Sequence, residues 1–311
     1  MDGPLVTVAI CTRNRAALLD ECIASVREQT LPTGDGIAIV VVDNASADDT
    51  PAVVDRHRAA DPRVVYAHEP EIGVSAARNR ALALAASPLI AFIDDDATAR
   101  PGWLARLLTP FFRIRPRPKV VGGDIDPIWG APRPPWLADW MLSLFSAGMV
   151  IPGAPRLITE NEWIFEGNCV VECRALRALG GFPVALGRRE GKGALLSGEN
   201  MVYEVIREQG GGVWFEPAAR IRHHIHADRL NLRWLRRRCF WEGVSKSRRQ
   251  RERTRLGLDV GRPKVVVPMN FDHWRALIDA DESADEQTVA RLIEQTIGLG
   301  FALDRMGLVD D

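Results

Sequence analysis

The chain has 311 residues, 46% of them hydrophobic, with 40 basic side chains against 41 acidic ones and a formal net charge of −1. It is long enough for one large α/β domain with an appendage or for two small domains, and its balanced charge excludes a global field that would favour nucleic acid or anionic membrane. Its five cysteines, Cys11, Cys22, Cys169, Cys173 and Cys239, form no Cys-x-x-Cys pair and no disulfide framework, and no apolar stretch reaches the roughly 18 residues of a membrane span.

Leu5 to Cys11 reads as a strand ending at Thr12-Arg13-Asn14-Arg15, and Leu18, Leu19, Cys22, Ile23 and Val26 then recur at helical spacing. Ile37 to Val42 is a second apolar run, closed by Asp43-Asn44-Ala45-Ser46, and Val64 to Tyr66 a third, after a helix that starts near Thr50-Pro51. Ser75 to Ala86 is an Ala-rich helix, and Leu89 to Ile93 a strand that runs into Asp94-Asp95-Asp96. This alternation predicts a mainly parallel sheet with helices on both faces. Beyond Arg113 the pattern changes. Val120 to Gly123 reads as one more strand, and Asp126 to Pro155 as a long structured loop with a short helix around Trp136 to Phe145. Glu166 to Gly181 reads as a strand and short helix, Glu199 to Gln209 as an amphipathic helix stopped by three glycines, and Leu230 to Arg255 as a strongly basic helix.

In an open α/β sheet, ligands sit outside the carboxyl ends of the strands. Three adjacent aspartates there repel one another unless a cation compensates, and their hard oxygens suit Mg²⁺ or Mn²⁺ bound together with a diphosphate. The alternative is a strand-end turn with helix-capping aspartates. Two other strand ends, with Thr12, Arg13 and Arg15 and with Asp43 and Asn44, add groups fit for a nucleotide, Asp43 as an acceptor for ribose or base donors. Neither G-x-G-x-x-G after the first strand nor G-x-x-x-x-G-K-[ST] occurs, which argues against a Rossmann oxidoreductase and a P-loop NTPase.

Thr12-Arg13-Asn14-Arg15, Val42-Asp43-Asn44-Ala45-Ser46, Gly73-Val74-Ser75-Ala76-Ala77-Arg78-Asn79 and Ile93-Asp94-Asp95-Asp96, in this order, resemble the family 2 glycosyltransferases of GT-A fold. The resemblance implies that Thr12, Arg15 and Asp43 hold uridine or an equivalent nucleoside, that Arg78 approaches the donor, and that Asp94 and Asp96 flank diphosphate and metal. The lesser alternative is that Arg78-Asn79-Arg80 is simply an exposed helix face. More weakly, Glu166-Gly167-Asn168 with Leu179-Gly180-Gly181-Phe182 is similar to the segment that lines the acceptor side, where Gly123, Asp124, Gly167, Asn168 and Trp163 are expected. Gly198-Glu199-Asn200 stands where the family usually has Glu-Asp. Because the amide of Asn200 cannot accept a proton, the base falls to Glu199, with Asp124 and Asp126 next; Glu199 also suits the first turn of a helix without any catalytic task. By the same resemblance His223, rather than His224 or His226, supports metal or diphosphate.

The basic helix offers Arg237 or Arg238 to a leaving diphosphate, and its second half is expected to be solvated or to touch anionic lipid or acceptor. Trp129, Trp136, Trp140, Phe145, Trp163 and Phe165 read either as an acceptor platform or as core. The expectation is therefore a GT-A-like α/β domain over residues 1–226, with a donor half 1–123 and an acceptor half 124–226, and a helical C-terminal extension over 227–311. The expected activity is inverting transfer from a nucleotide-diphosphate sugar, a UDP-sugar first, with Mn²⁺ or Mg²⁺, to a saccharide, lipid-linked or small-molecule acceptor. Localisation is expected to be cytoplasmic, with peripheral contact at the inner membrane face through the basic helix, and no nucleic acid. Two alternatives are a non-catalytic sugar-nucleotide or glycan-binding protein, motivated by Asn200, and a sugar-phosphate nucleotidyltransferase, disfavoured by the missing Gly- and Arg-rich loop after the first strand.

Overall fold

The computed structural model describes residues 3–32, 34, 36–148, 153–160, 162–187, 198–258 and 281–309, the side chains of 198–200 excepted. The apolar runs of the first 94 residues become β1 (Val6–Thr12), β2 (Ile37–Asp43), β3 (Val64–His68) and β4 (Leu89–Asp94). Between them lie α1 (Ala16–Arg27), α2 (Thr50–Ala60) and α3 (Val74–Leu84). Helix α1 buries Leu19, Cys22, Ile23 and Val26, one stripe at helical spacing, and α2 starts with Pro51 in its first turn, where a missing N–H costs nothing.

Next come β5 (Ala97–Ala99), α4 (Trp103–Arg113), β6 (Val120–Trp129), β7 (Arg156–Leu157), β8 (Asn168–Glu172), α5 (Cys173–Ala178), α6 (Gly198–Glu208) and β9 (Val213–Ile225). The helices α7 (Leu232–Arg255) and α8 (Glu286–Arg305) follow. The helix expected at Trp136–Phe145 is a 3-10 turn over Asp139–Phe145.

Among the described residues one sheet runs β3-β2-β1-β4-β8-β6-β9-β5, with β7 on β9. Its first four strands are parallel, as the α/β alternation implies, and β8 and β6 continue it antiparallel. The chain leaves β1 towards β2 and β3, then crosses back to lay β4 on the other side of β1. The carboxyl ends of β1, β2 and β4 therefore meet at a topological switch point, the place where such sheets bind ligands. Register makes these ends level: Thr12 pairs with Asp43, and Cys11 with Asp94.

The chain divides into two compact units, one of residues 1–128, 146–184 and 199–224, the other of 129–145, 185–198 and 225–311. Residues 129–145, assigned by sequence to the acceptor half, thus belong with the C-terminal helices. The reason is aromatic burial. Trp136 and Phe145 are each 1% exposed; Trp136 Nε1 donates to Glu282 Oε2 at 2.7 Å, and Phe145 stacks on Trp234 with ring centres 4.8 Å apart. These two rings are core of the second unit and offer no face to an acceptor.

Helices α7 and α8 touch backbone to backbone at two glycines. A Cβ on Gly243 would lie 2.0 Å from Ile297 O, and one on Gly300 2.0 Å from Phe240 O. The second half of α7, expected to be solvated, is largely neutralised: Arg248 and Arg251 pair with the buried Asp304 at 2.9 and 2.7 Å, and Arg255 with Glu252 at 2.6 Å. Gly243→Ala should force the helices apart and destabilise the second unit by roughly 1–3 kcal/mol, the range for overpacking a tight contact. Chemical denaturation followed by tryptophan fluorescence would show this as a lowered midpoint.

Candidate active site

The site is assembled at the end of β4. The Asp94 side chain is 37% exposed, whereas those of Asp95 and Asp96 are 7% and 3% exposed. Arg15, at the start of α1, reaches across and donates from one nitrogen to Asp95 Oδ1 and Asp96 Oδ2, both at 2.7 Å. Arg78 of α3, buried at 6% exposure, has its guanidinium 3.6 Å from Asp94 Oδ1 and lies over the ring of Phe182 at 5.8 Å. Burial pushes the Asp95 carboxyl up to about 6, with Arg15 opposing and Asp96 reinforcing the shift.

Strand β5 explains how a distant histidine arrives here. Directly after the aspartates, Ala97 pairs with His223 of β9, and His224 N donates to Asp96 O at 2.9 Å. Alternation along β9 turns His223 inward, where its Nε2 lies 3.2 Å from Asp96 Oδ1. One potential ligand atom from each of Asp94, Asp96 and His223 lies within 4.8 Å of the others. His224 turns outward, towards Glu21 at 3.7 Å. Gly167, expected on the acceptor side, instead abuts this cluster: a Cβ on it would stand 2.2 Å from Asp94 Oδ2.

At the end of β2 the hydrogen bonds give several residues structural work. Asp43, 1% exposed, accepts from Ser46 N at 2.9 Å and from the Tyr66 hydroxyl at 2.8 Å. The Tyr66 phenol is raised to about 12 by burial and by the Asp43 charge. Asn44 donates to Glu69 O and Glu71 O and accepts from Gly73 N, so its amide is spent on the loop that leads into α3. Arg13 donates to the backbone oxygens of Asn44 and Ala45, the latter at a positive φ of 55°. Thr12, beside Asp43 in the register, is 2% exposed.

On the other flank, Gly123, Asp124 and Trp163 line one narrow recess with Phe165 and Phe215. Trp163 is 44% exposed there. Asp124 pairs with Arg220 at 2.9 Å, and burial raises its carboxyl against that arginine. Arg220 also binds Asp126, which Arg100 holds at 2.7 Å; Asp126, a substitute base by sequence, is thereby held low.

Asn168 departs from its expected acceptor-side place. It is 0% exposed, donates to Asp124 O at 2.7 Å and Ala219 O at 2.9 Å, and accepts from Trp103 Nε1 at 2.6 Å. It fastens β8, β6, β9 and α4 together and has no surface for a ligand. Gly123 is likewise a place of close strand approach, since a Cβ on it would meet Ala219 O at 1.9 Å. In the second unit, Arg237 is exposed on α7 and Arg238 pairs with Glu242 on the same helix at 2.9 Å. Glu199 opens α6, and its side chain lies outside the described residues.

The sequence reading missed Tyr66 and Arg220. Tyr66 stands on a strand whose partner had been foreseen, but only the register sets its hydroxyl on Asp43.

This arrangement, carboxylates and a histidine at the switch point of a half-parallel sheet, defines the GT-A glycosyltransferase fold, and solved structures agree. A mannosyltransferase from Pyrobaculum calidifontis, in complex with GDP-Man and Mn²⁺, superposes with a TM-score of 0.62 over 98% of this chain and 88% of that one, at 18% identity. GalNAc-T7 with UDP, GalNAc and Mn²⁺ gives a TM-score of 0.55 over 84% of this chain and 52% of that one, at 16% identity. The sequence matches glycosyl transferase family 2 over residues 7–170, more than half of the chain, and the chain belongs to that family. Among curated proteins it is similar to the glucosyl-dolichyl phosphate glucuronosyltransferase of Haloferax volcanii, 25% identical over 246 residues that span 78% of this chain and 76% of the relative.

Two substitutions separate site from scaffold. If the cluster of Asp94, Asp96 and His223 takes up Mn²⁺, Gly167→Ala should leave the circular dichroism spectrum intact and weaken that binding at least tenfold, read by calorimetry, because the methyl group displaces Asp94. Asn168→Ala strips three partners from buried groups and should lower unfolding free energy by roughly 3 kcal/mol, measured by denaturant titration.

Proposed function

We propose that the chain is an inverting, divalent-metal-dependent glycosyltransferase that takes its sugar from a nucleotide-diphosphate donor. The observation that carries this reading is the Asp94, Asp96 and His223 cluster at the carboxyl edge of β4. Its donors fit such an ion: two carboxylates and an imidazole suit Mn²⁺ or Mg²⁺, with Mn²⁺ the better match to the nitrogen. The local charge fits too. Among the described residues, Arg15 lies against Asp95 and Asp96 and Arg78 against Asp94, the positive groups that three adjacent carboxylates call for. Both solved relatives cited above were obtained with Mn²⁺ and a nucleotide or nucleotide sugar.

In this reading Asp94, Asp96 and His223 hold the metal, which when bound neutralises charge on the donor diphosphate. Arg15 and Arg78 keep the carboxylates aligned and meet the phosphates as they approach. Asp43, oriented by Ser46 N and Tyr66, accepts from the nucleoside, with Thr12 beside it; Arg13 and Asn44 shape that strand end. Glu199 removes the proton from an acceptor hydroxyl, whose oxygen forms a bond to the anomeric carbon while the bond from that carbon to the diphosphate oxygen breaks. Arg237 and Arg238 are proposed for the leaving group, and Gly123, Asp124 and Trp163 for the acceptor side. The donor is a UDP-sugar first and a GDP-sugar second, and the acceptor a saccharide, lipid-linked saccharide or small molecule. No helix among the described residues is long and apolar enough to cross a membrane; we place the protein in the cytoplasm or at the inner membrane face.

A thermal-shift screen of nucleoside diphosphates and their sugars tests the donor half. UDP or GDP should raise the melting temperature with Mn²⁺ present, since a ligand of the native state stabilises it. Asp96→Asn should abolish the metal-dependent part. A shift unaltered by that substitution, together with no transfer from any donor, sinks the reading. For the base, Glu199→Gln should keep nucleotide binding and reduce kcat by 10²-fold or more, on the order of a lost general base. Equal absence of turnover in both proteins, with binding retained, would favour a non-catalytic sugar-nucleotide-binding protein.

A further inference from the structure

Residues 97–123 contain Arg100, Arg106, Arg113, Arg115, Arg117 and Lys119 and no acidic residue at all. Two of these cations are neutralised by other segments, Arg100 by Asp126 and Lys119 by Glu172. The other four are exposed and have no carboxylate partner among the described residues. Three of them, Arg113, Arg115 and Arg117, gather around the C-terminal end of α4. Arg115 donates to Phe112 O at 3.2 Å and Ile114 O at 2.8 Å, capping the carbonyls there, and Arg117 lies over the buried ring of Phe111 at 5.5 Å. Phe112 is 49% exposed in their midst.

We infer that this end of α4 and the turn that follows, Phe112 to Arg117, dock the chain on an anionic phospholipid surface. Guanidinium groups match phosphodiesters with paired hydrogen bonds, and a single protruding aromatic ring suits the boundary between headgroups and acyl chains. Nucleic acid fits less well. A strand of it is held by successive stacking rings, whereas Trp103 and Phe111 are buried and Phe112 is the one exposed aromatic of this stretch. The basic helix α7, the more obvious candidate by sequence, pairs five of its ten cations with Glu242, Glu252 and Asp304.

The placement has a consequence for orientation. Leu89 at the amino end of β4 pairs with Glu172, and Val120 pairs with Val171, so the turn before β6 lies at the amino edge of the sheet. Asp94 lies at the opposite end of the six-residue β4, about 20 Å away at the rise of a strand. A chain docked by this edge turns its carboxylates to the aqueous side, from which a soluble nucleotide arrives.

Sedimentation of the full chain with vesicles tests the inference independently of catalysis. The protein should bind phosphatidylcholine vesicles that contain phosphatidylglycerol, not phosphatidylcholine alone, and high salt should release it. At about fivefold in partition per arginine, the triple variant Arg113→Glu, Arg115→Glu, Arg117→Glu should lose roughly a hundredfold. Phe112→Ser should lose several-fold, and Arg233→Glu with Arg255→Glu on α7 should change nothing. If the triple variant is misfolded by circular dichroism, Phe112→Ser and the salt release decide. Equal binding to neutral vesicles, retained binding in the loop variants, loss in the α7 variant, or displacement by an RNA oligonucleotide at equal phosphate concentration would each overturn it.

Discussion

Three consecutive carboxylates at the end of a buried strand repel one another, and much of this fold is arranged to compensate them. Each compensating group comes from a different element: Arg15 from the start of α1, Arg78 from α3, His223 from β9. None of these elements could be moved without stranding negative charge in a low-dielectric place, which costs far more than an ordinary lost contact. Asp94 alone of the three opens to solvent, with Arg78 3.6 Å away, and it is the carboxylate through which the proposed metal would meet a donor. Asp95 faces Arg15 instead and serves the clamp, so the triplet divides between an outward carboxylate, a clamped one and one shared with His223.

The clamp demands close backbone approach, and glycine and asparagine supply it. Gly167 leaves room for the Asp94 carboxylate, and Gly123 lets β6 and β9 meet over Asn168. Asn168 then satisfies two backbone oxygens and an indole N–H with one amide, in a layer where water cannot reach. The same economy appears at the end of β2, where Asn44 fixes the loop into α3 and frees Asp43 to be oriented by Tyr66 and a backbone N–H. Two polar residues of the catalytic-looking motifs, Asn44 and Asn168, are therefore scaffold. The polar residue nearest a strand end is as often there to hold the neighbouring loop as to meet a ligand.

The parallel half of the sheet was legible in the sequence because strands buried on both faces read as unbroken apolar runs, each stopped by polar residues at its carboxyl end. The switch point followed from the same pattern, and with it the neighbourhood of Thr12, Asp43 and Asp94. The antiparallel half was legible in part: Val120 to Gly123 and the strand within Glu166 to Gly181 became β6 and β8, but the remaining strands and the pairing were hidden. Strands β5 and β7 have three and two residues, too few to show a period, and β9 is interrupted by Pro217 and charged positions. Contacts that depend on register were hidden for the same reason: Tyr66 on Asp43, Arg220 between Asp124 and Asp126, Gly167 against Asp94. The aromatic stretch from Trp136 to Phe145 stayed open between acceptor platform and core because a buried ring and a sugar-stacking ring look alike in sequence, and Glu282 and Trp234, more than 85 residues away, make these rings core.

Charge shows a similar gap between sequence and structure. A formal charge of −1 conceals two strongly basic segments that the fold treats in opposite ways. Helix α7 carries the denser run of arginines, yet carboxylates on its own turns and on α8 lie against it, so its positive charge acts mainly to hold a helix pair whose glycines already bring the backbones into contact. The end of α4 carries fewer cations, but its neighbours in the chain are apolar or proline, and the 27 residues of the 97–123 stretch hold no acid that could fold back on them. Field strength at a surface depends on what remains unpaired within a Debye length rather than on how many arginines a segment contains. The four exposed arginines from Arg106 to Arg117 have no carboxylate partner among the described residues, whereas half of the cations of α7 are held by Glu242, Glu252 and Asp304 and serve the helix pair.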